Sequence, residues 1–441
     1  MNKMLRKLPL HFCYFFVAPF LMLPAFFSAH ADMIGHGGMV RTVSVSPNGK
    51  WLLTGSFDNT ARLWDFGEQT ELAVLDEHTA QVNAVAFLPD GSMALTASDD
   101  RTVILWDLET RKPVRKFIGH THKIVSVAVS PDGETVSTGG WDRTVRVWNL
   151  SDGKQLQVIK HPTPINAVVF TDNETVVSGG HDGKLRIWNT RTGLARGKLP
   201  GHEMAVTQMS VSGNGSQLLT AGIDGRLKLW NLKQLKEIRS FSVHEGQIYA
   251  TAISADGSHA LSAGRDGAVV LWNLAAGKPI RTIKAHDQIV WSVALTPDGR
   301  FGISTSSDES IRVWHLDSGN RIGIPDEGAG EPKPWLTSSH PGARLFRKCA
   351  KCHSLSADGV KRSGPHFAGL FGRRAGSIDG YKYSEILQQA NFVWEEETLS
   401  ALFTRGPDKY LPGTKMPVQI IPDPRSLKDL ISYLRELTSP K

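Results

Sequence analysis

From about residue 40 to residue 315, apolar and polar positions alternate in short runs such as "VNAVAF", "ALTAS" and "VILW". Between the runs stand turn signals such as "SPNG", "LPDG", "SPDG" and "TPDG". A period of two buries one face of a strand, so this pattern predicts short antiparallel strands joined by tight turns. The landmarks within it recur with nearly constant spacing. Trp64, Trp106, Trp148, Trp188, Trp230, Trp272 and Trp314 fall 42, 42, 40, 42, 42 and 42 residues apart. Six residues before each stands an aspartate (Asp58, Asp100, Asp142, Asp182, Asp224, Asp266, Asp308), and four before that a hydroxyl (Thr54, Thr96, Thr138, Ser178, Thr220, Ser262, Ser304). A histidine opens each unit, at His36, His78, His120, His161, His202, His244 and His286. Each unit reads as four strands.

Seven units of this length resemble the WD-repeat family, whose "GH" and "WD" dipeptides appear as Gly119-His120, Gly201-His202, Trp64-Asp65 and Trp106-Asp107. The resemblance implies a seven-bladed β-propeller. It also implies that the histidine, aspartate, hydroxyl and tryptophan of each unit form a hydrogen-bonded tetrad inside a blade. A closed network of this kind satisfies polar groups that would be costly to bury alone. The seven histidines are therefore read as structural rather than as metal ligands. For ring closure, only Met33 and Ile34 precede His36, so "NRIGIP" after Trp314 is expected to supply the outermost strand of the last blade. The face bearing the residue before each repeat aspartate and the residue five after each histidine carries Phe57, Trp141, Tyr249 and Trp291, with Asp99, His181 and Arg265. Exposed aromatics with scattered charge suit a protein partner.

The period changes near the C-terminus. "ARLFRKCAK" is helix-like, and Leu427, Leu430, Ile431, Leu434 and Leu437 line one face of a helix capped by Asp423 with Pro424 at its first position. Between the two patterns, "DEGAGEPKPWLTSSHPG" has no apolar periodicity and several Pro and Gly, as a linker does, with Trp335 available to pin it to a blade. The organisation expected is a leader over 1–31, a propeller over 32–325, a linker over 326–341 and a helical domain over 342–441.

At 441 residues, 40% apolar and 21% charged, the chain has an ordinary globular composition and calls for two or more units. The first residues differ. Lys3, Arg6 and Lys7 precede the apolar run "FCYFFVAPFLMLPAFF", and Ala29 and Ala31 hold the small-residue positions of a cleavage site, which predicts a secretory signal peptide cut after Ala31. Pro19 and Pro24 interrupt the run, so no membrane span is expected in the mature chain. Cleavage lowers the formal charge from +7 to +4. Residues 32–339 carry 31 basic and 33 acidic side chains, so the excess lies in the last hundred residues, which carry 16 and 10. A basic segment on an exported, otherwise near-neutral protein points to an acidic protein partner and away from nucleic acid.

Two of the three cysteines stand in "RKCAKCHS", at Cys349 and Cys352, next to His353. A structural zinc site wants four ligands, and the mature chain has no further cysteine. A catalytic dithiol lacks the strand-then-helix context and leaves His353 without a role. Covalent c-type haem uses all three residues, two thiols closing thioether bonds and the adjacent imidazole reaching iron.

The flanking motifs "GPHFAGLFGRRAG" from Gly364, "YKYS" from Tyr381, "VWEEETL" from Val393, "KYLPGTKMP" from Lys409 and "LKDLISYL" from Leu427 resemble the short-chain class I monohaem cytochromes c. The fold class is thus an all-β seven-bladed propeller followed by a small all-α cytochrome c domain. The resemblance implies one covalently attached haem c, with Met416 as sixth ligand beside His353, the Pro365 carbonyl orienting His353, and Arg373, Tyr383 and Trp394 holding the propionates. Where many relatives place a tyrosine near the methionine, this chain has Leu402 and Phe403. Two filled axial positions suit one-electron transfer. Lys351, Lys361, Arg362, Lys409 and Lys415 would steer an acidic redox partner. The expected protein is a periplasmic electron carrier, rather than a catalyst of substrate turnover, whose propeller binds a partner. The alternative is a periplasmic oxidoreductase with a second cofactor or substrate site on the propeller, fed by the c haem.

Overall fold

The computed structural model describes residues 32–322, 334–350, 353–357, 364–381, 383–414, 416 and 420–438; the expected leader, 1–31, lies outside the described residues. Residues 40–284 form six four-stranded antiparallel sheets, each ordered as the chain runs: 40–75, 82–118, 124–160, 165–199, 206–241 and 248–284. The first strand of each blade packs on the first strand of the next, and Val40–Val45 of the first blade meets Val290–Leu295 of the seventh, which closes the ring.

The seventh blade contains Val290–Leu295, Phe301–Ser306 and Ser310–His315, and its outermost strand is composite. Met33 and Ile34 pair with Ile311 and Ser310, while Arg321 and Ile322 pair with Trp314 and Val313. The sequence pointed mainly to the C-terminal side, whereas each end of the array contributes two residues. Asp32 makes ion pairs with Arg312 and Arg321, so charge joins the two halves where hydrogen bonds are few. Met33 is buried in the core shared by the first and last blades.

Within the blades the expected relay is present in six units. In the first, Trp64 Nε1 donates to Thr54 Oγ1 at 2.8 Å, Thr54 Oγ1 lies 2.8 Å from His36 Nε2, and His36 Nδ1 lies 2.9 Å from Asp58 Oδ2. The tryptophan can only donate and the carboxylate can only accept. The relay therefore runs from indole to hydroxyl to imidazole to carboxylate, with Nδ1 carrying the proton. The same connections form around His78, His120, His202, His244 and His286.

The fourth unit departs from the tetrad expected for every blade. Trp188 still donates to Ser178, but His161 Nδ1 bonds the carbonyl of Thr163 at 2.9 Å, and its Nε2 lies 3.3 Å from Arg186 Nη1. Arg186 takes Asp182 instead, through two contacts at 3.2 and 2.7 Å. The reason lies in the spacing. In the six closed units histidine and aspartate are 22 residues apart, whereas His161 and Asp182 are 21 apart. One residue is missing before Ser178, and the imidazole falls short of both partners. Trp188 is only partly buried, unlike the other six repeat tryptophans.

A second repeated tie has no counterpart in the four landmarks. Nine residues after the tryptophan, Arg115, Gln157, Arg239 and Arg281 reach from an outer strand to carbonyls in the turn of the following blade, such as Ser151 and Asp152 for Arg115, at 2.8 and 2.9 Å. In the first and fourth blades Ala73 and Gly197 stand there and cannot. Long guanidinium arms thus lace the rim, while apolar side chains fill the space between blades.

The C-terminal unit is helical, with helices at Pro334–Thr337, Ala343–Cys349, Glu385–Gln388, Glu396–Arg405, Pro407–Tyr410 and Pro424–Thr438. Trp335, read as a possible pin to a blade, packs instead into the helical core against Phe346, at a ring separation of 5.3 Å. The terminal helix begins as expected. Asp423 Oδ2 accepts from Ser426 N at 2.9 Å, and Leu427, Leu430, Ile431 and Leu434 are buried with Tyr433. This face meets the helix Ala343–Cys349 at a close crossing: a Cβ on Gly342 would stand 2.1 Å from the carbonyl oxygen of Asp429. Among the described residues no helix is long and apolar enough to cross a membrane.

Three expectations follow. Replacing His286 by alanine opens a closed relay, removing one partner each from the Asp308 carboxylate and the Ser304 hydroxyl, and should cost about 2 kcal/mol or more, whereas His161→Ala, outside a closed relay, should cost about 1 kcal/mol or less; urea unfolding of the two variants compares them. Acid should weaken the propeller in two stages. Burial pushes the pKa of His36, His202 and His286 below 6.5, so the unfolded chain takes up protons first and stability falls as the pH drops below that value. Asp58, Asp100, Asp142 and Asp308 lie well below 3.8, because histidine and hydroxyl partners overcome the opposing effect of burial. Their contribution is lost only at lower pH still, which urea midpoints across pH 3 to 8 would show as about two successive losses. Finally, Gly342→Ala should destabilise the helical unit by about 1–3 kcal/mol through overpacking, while Tyr433→Phe, which removes a buried hydroxyl with no hydrogen-bond partner among the described residues, should not.

Candidate functional site

The helix Ala343–Cys349 carries Cys349 into the core of the C-terminal unit, where it is buried beside Phe346, Ala350 and Leu370. Beyond this helix, His353 N is bonded to the Cys349 carbonyl at 3.0 Å. This delivers the His353 ring to Pro365, whose carbonyl oxygen lies 2.6 Å from Nδ1. Pro365 has no N–H and its oxygen can only accept, so Nδ1 holds the ring proton and Nε2 the lone pair. That tautomer is the one that ligates a metal through Nε2. Phe367 stacks on the imidazole at 4.3 Å with an interplanar angle of 13°, which fixes the ring plane as well.

Met416 follows the short helix Pro407–Tyr410 and packs against the same core as Cys349, together with Trp394, Tyr410 and Phe392. The structure therefore gathers Cys349, Trp394 and Met416, residues up to 67 positions apart, around one apolar interior. Leu402 and Phe403 are both buried there. No hydroxyl comes from either.

Arg373 stands on a loop tied to Trp394, with Trp394 N bonded to the Arg373 carbonyl at 2.8 Å. Its guanidinium donates to the carbonyls of Ala368 and His366 at 2.7 and 2.9 Å. Burial lowers its pKa and raises that of the buried Tyr383, and the two groups act on each other electrostatically. Arg373 is partly buried, and among the described residues no carboxylate lies within 4 Å of its guanidinium.

Cys352, Lys351, Lys361, Arg362 and Lys415 lie outside the described residues, while Lys409 is exposed. The residues present fit a c-type haem: a buried thiol one turn before an imidazole in the ligating tautomer, a thioether in the same core, and a cation with phenol and indole neighbours suited to propionates. His353 was singled out by the motif, while Pro365 and Met416 came from the resemblance; the structure puts Pro365 O against His353 and Met416 on the core that holds Cys349. Gly342 and Tyr433, which hold the helix under Cys349, were not; glycine at a helix start followed by an aromatic four residues later is a weak signal alone.

On the propeller, the four aromatics expected to be exposed are all partly buried. Tyr249 and Trp291 pack together at 4.7 Å and line the central channel, and Trp291 Nε1 donates to Ser307 at 2.7 Å. Trp141 lies between Lys123, 3.6 Å over its ring, and His181, edge-on at 5.2 Å. Phe57 donates its backbone N–H to Met39 O. Neighbouring blades hold much of the ring surface, and only the outward edges are available to a partner.

Comparison with known proteins divides the chain in the same way. Residues 339–438 match the family described as Cytochrome c, and residues 39–315 the family described as IFT122 first beta-propeller. The cytochrome c of Arabidopsis thaliana is 42% identical over 98 residues, which make up 22% of this chain and 87% of that protein. That of Gibberella zeae is 40% identical over 98 residues, 22% of this chain and 92% of that protein. A cytochrome c homolog of Rickettsia typhi is 38% identical over 104 residues, 24% of this chain and 59% of that protein. The chain thus belongs to the cytochrome c family through its helical C-terminal unit and to the IFT122 first β-propeller family through its seven blades.

Proposed function

We propose that this protein is a periplasmic electron carrier, exported by a signal peptide cleaved after Ala31, whose propeller is a scaffold that binds a redox partner. The observation that carries the electron-transfer reading is the bond from His353 Nδ1–H to the Pro365 carbonyl, which presents Nε2 in its ligating form next to two haem-attachment positions. One haem c, joined to Cys349 and Cys352, supplies reversible one-electron chemistry at its iron. His353 and Met416 would hold its iron, and methionine with histidine would favour electron transfer.

The chain's own groups set how that chemistry runs. The Pro365 carbonyl makes the imidazole a stronger donor, since a hydrogen bond from Nδ1 pushes electron density toward Nε2. Phe367, Leu370, Trp394 and Tyr410 in the surrounding core keep water out, and a low-dielectric site disfavours the additional positive charge of the oxidised state. Arg373, Tyr383 and Trp394 would hold the propionates, with Arg373 balancing their charge. Lys351, Lys361, Arg362, Lys409 and Lys415 would favour an acidic docking surface, an attraction that speeds encounter and is screened by salt. The outward edges of Phe57, Trp141, Tyr249 and Trp291 are the proposed partner contacts on the propeller.

In the haem-loaded full chain, Met416→Ala should alter the absorption spectrum of the oxidised protein and lower its reduction potential, because methionine ligation raises it. A spectrum and potential identical to wild type would remove Met416 from the ligand set. Cys349→Ser with Cys352→Ser should abolish covalent haem in the intact mass while the propeller still folds.

A further inference from the structure

We infer that the mouth of the propeller channel is a binding site for a small organic carboxylate, built around Arg41. This goes beyond electron transfer by the C-terminal unit and does not depend on it. The channel encloses about 330 Å³, near the lower end of small-molecule pockets. The second residue of each inner strand reaches the channel at the end where those strands begin, and Arg41, Asn83, Asn166, Thr207, Tyr249 and Trp291 stand in these places.

Most of this ring is already committed. Asn83 Nδ2 donates to Asp99 Oδ1 at 2.7 Å and to Ile124 O at 2.9 Å, Asn166 Nδ2 donates to Val206 O at 2.7 Å, and Thr207 Oγ1 donates to Ile248 O at 2.7 Å. These bonds sew blade to blade. Tyr249 donates to Gln247, and Trp291 to Ser307. Arg41 differs. Its contacts are a long 3.5 Å approach of Nη1 to the Trp291 carbonyl and a cation–π arrangement with the guanidinium carbon 4.8 Å from the ring centre.

Among the described residues no carboxylate lies within 4 Å of the Arg41 nitrogens, although Asp99 and Tyr249 are near enough to act on it electrostatically. Burial pushes its pKa down to about 10, so the group stays charged at neutral pH at an energetic cost. A fork of five donors facing a cavity with one positive charge matches a monoanion that accepts two parallel hydrogen bonds, which a carboxylate does. A phosphate dianion would bring a second negative charge toward Asp99 with no second cation to meet it. The Tyr249 and Trp291 rings, 4.7 Å apart and tilted by 46° to one another, flank the fork with aromatic surface, so the ligand class is a carboxylate on an aromatic group.

The test uses the full haem-loaded chain, dialysed free of organic acids, at constant ionic strength. Sodium benzoate should raise the unfolding temperature of the propeller and show saturation-transfer NMR contact, while neutral benzamide and inorganic phosphate should do neither. Arg41→Gln should weaken benzoate binding at least tenfold, by about 1.4 kcal/mol or more, and should be no less stable than wild type without ligand. The inference is overturned if benzoate fails to bind, if phosphate binds in its place, if Arg41→Gln retains binding, or if that variant is destabilised without ligand, which would mark Arg41 as a structural residue.

Discussion

A buried imidazole must satisfy both of its nitrogens, and which partner takes the Nδ1 proton decides what a histidine does in this protein. In six blades the partner is a carboxylate at 2.7 to 3.2 Å, and a hydroxyl fills the position at Nε2. Those histidines are closed off and serve as cross-braces. In the C-terminal unit the partner is a backbone carbonyl, and Nε2 is held in the form that ligates. His161 shows the rule from the other side: without its carboxylate it also bonds a carbonyl, and an arginine takes up the remaining face. The hydrogen bond at Nδ1 thus sets the tautomer, and the neighbour at Nε2, a hydroxyl in six blades and an arginine at His161, separates the blade histidines from one another.

The repeat was legible because indole, carboxylate, hydroxyl and imidazole must be in register for the relay to close, so their spacing is written into the chain. The opening of the fourth relay was also present, as the 40-residue step from Trp148 to Trp188, but its consequence depends on side-chain reach. Other features resist reading because they arise between elements distant in sequence. The outermost strand of the last blade is assembled from residues 33–34 and 321–322, each too short to score as a strand. Trp335 sits in a stretch with linker composition, yet one large ring with a partner such as Phe346 is enough to recruit it to a core. Gly342 matters through a backbone approach that leaves no trace in hydropathy. Arg41 occupies the same repeat position as Tyr249 and Trp291, and the search for aromatics passed over the one cation in that ring.

The two units divide the physical tasks. The propeller closes six relays inside its blades and ties its rim with arginine and glutamine side chains. The helical unit encloses an apolar interior onto which, among the described residues, the Cys349 thiol and the Met416 thioether converge, with the His353 ring stacked on Phe367 at its edge.

Because the account rests on the His353 tautomer and the convergence of Met416 on the same core, the most direct measurement is iron K-edge X-ray absorption of the haem-loaded full chain. It predicts a sulfur scatterer beside the nitrogen shell of the iron, lost in Met416→Ala and retained when any blade histidine is replaced. A nitrogen-only shell in the wild type, or a sulfur signal that survives Met416→Ala, would contradict it.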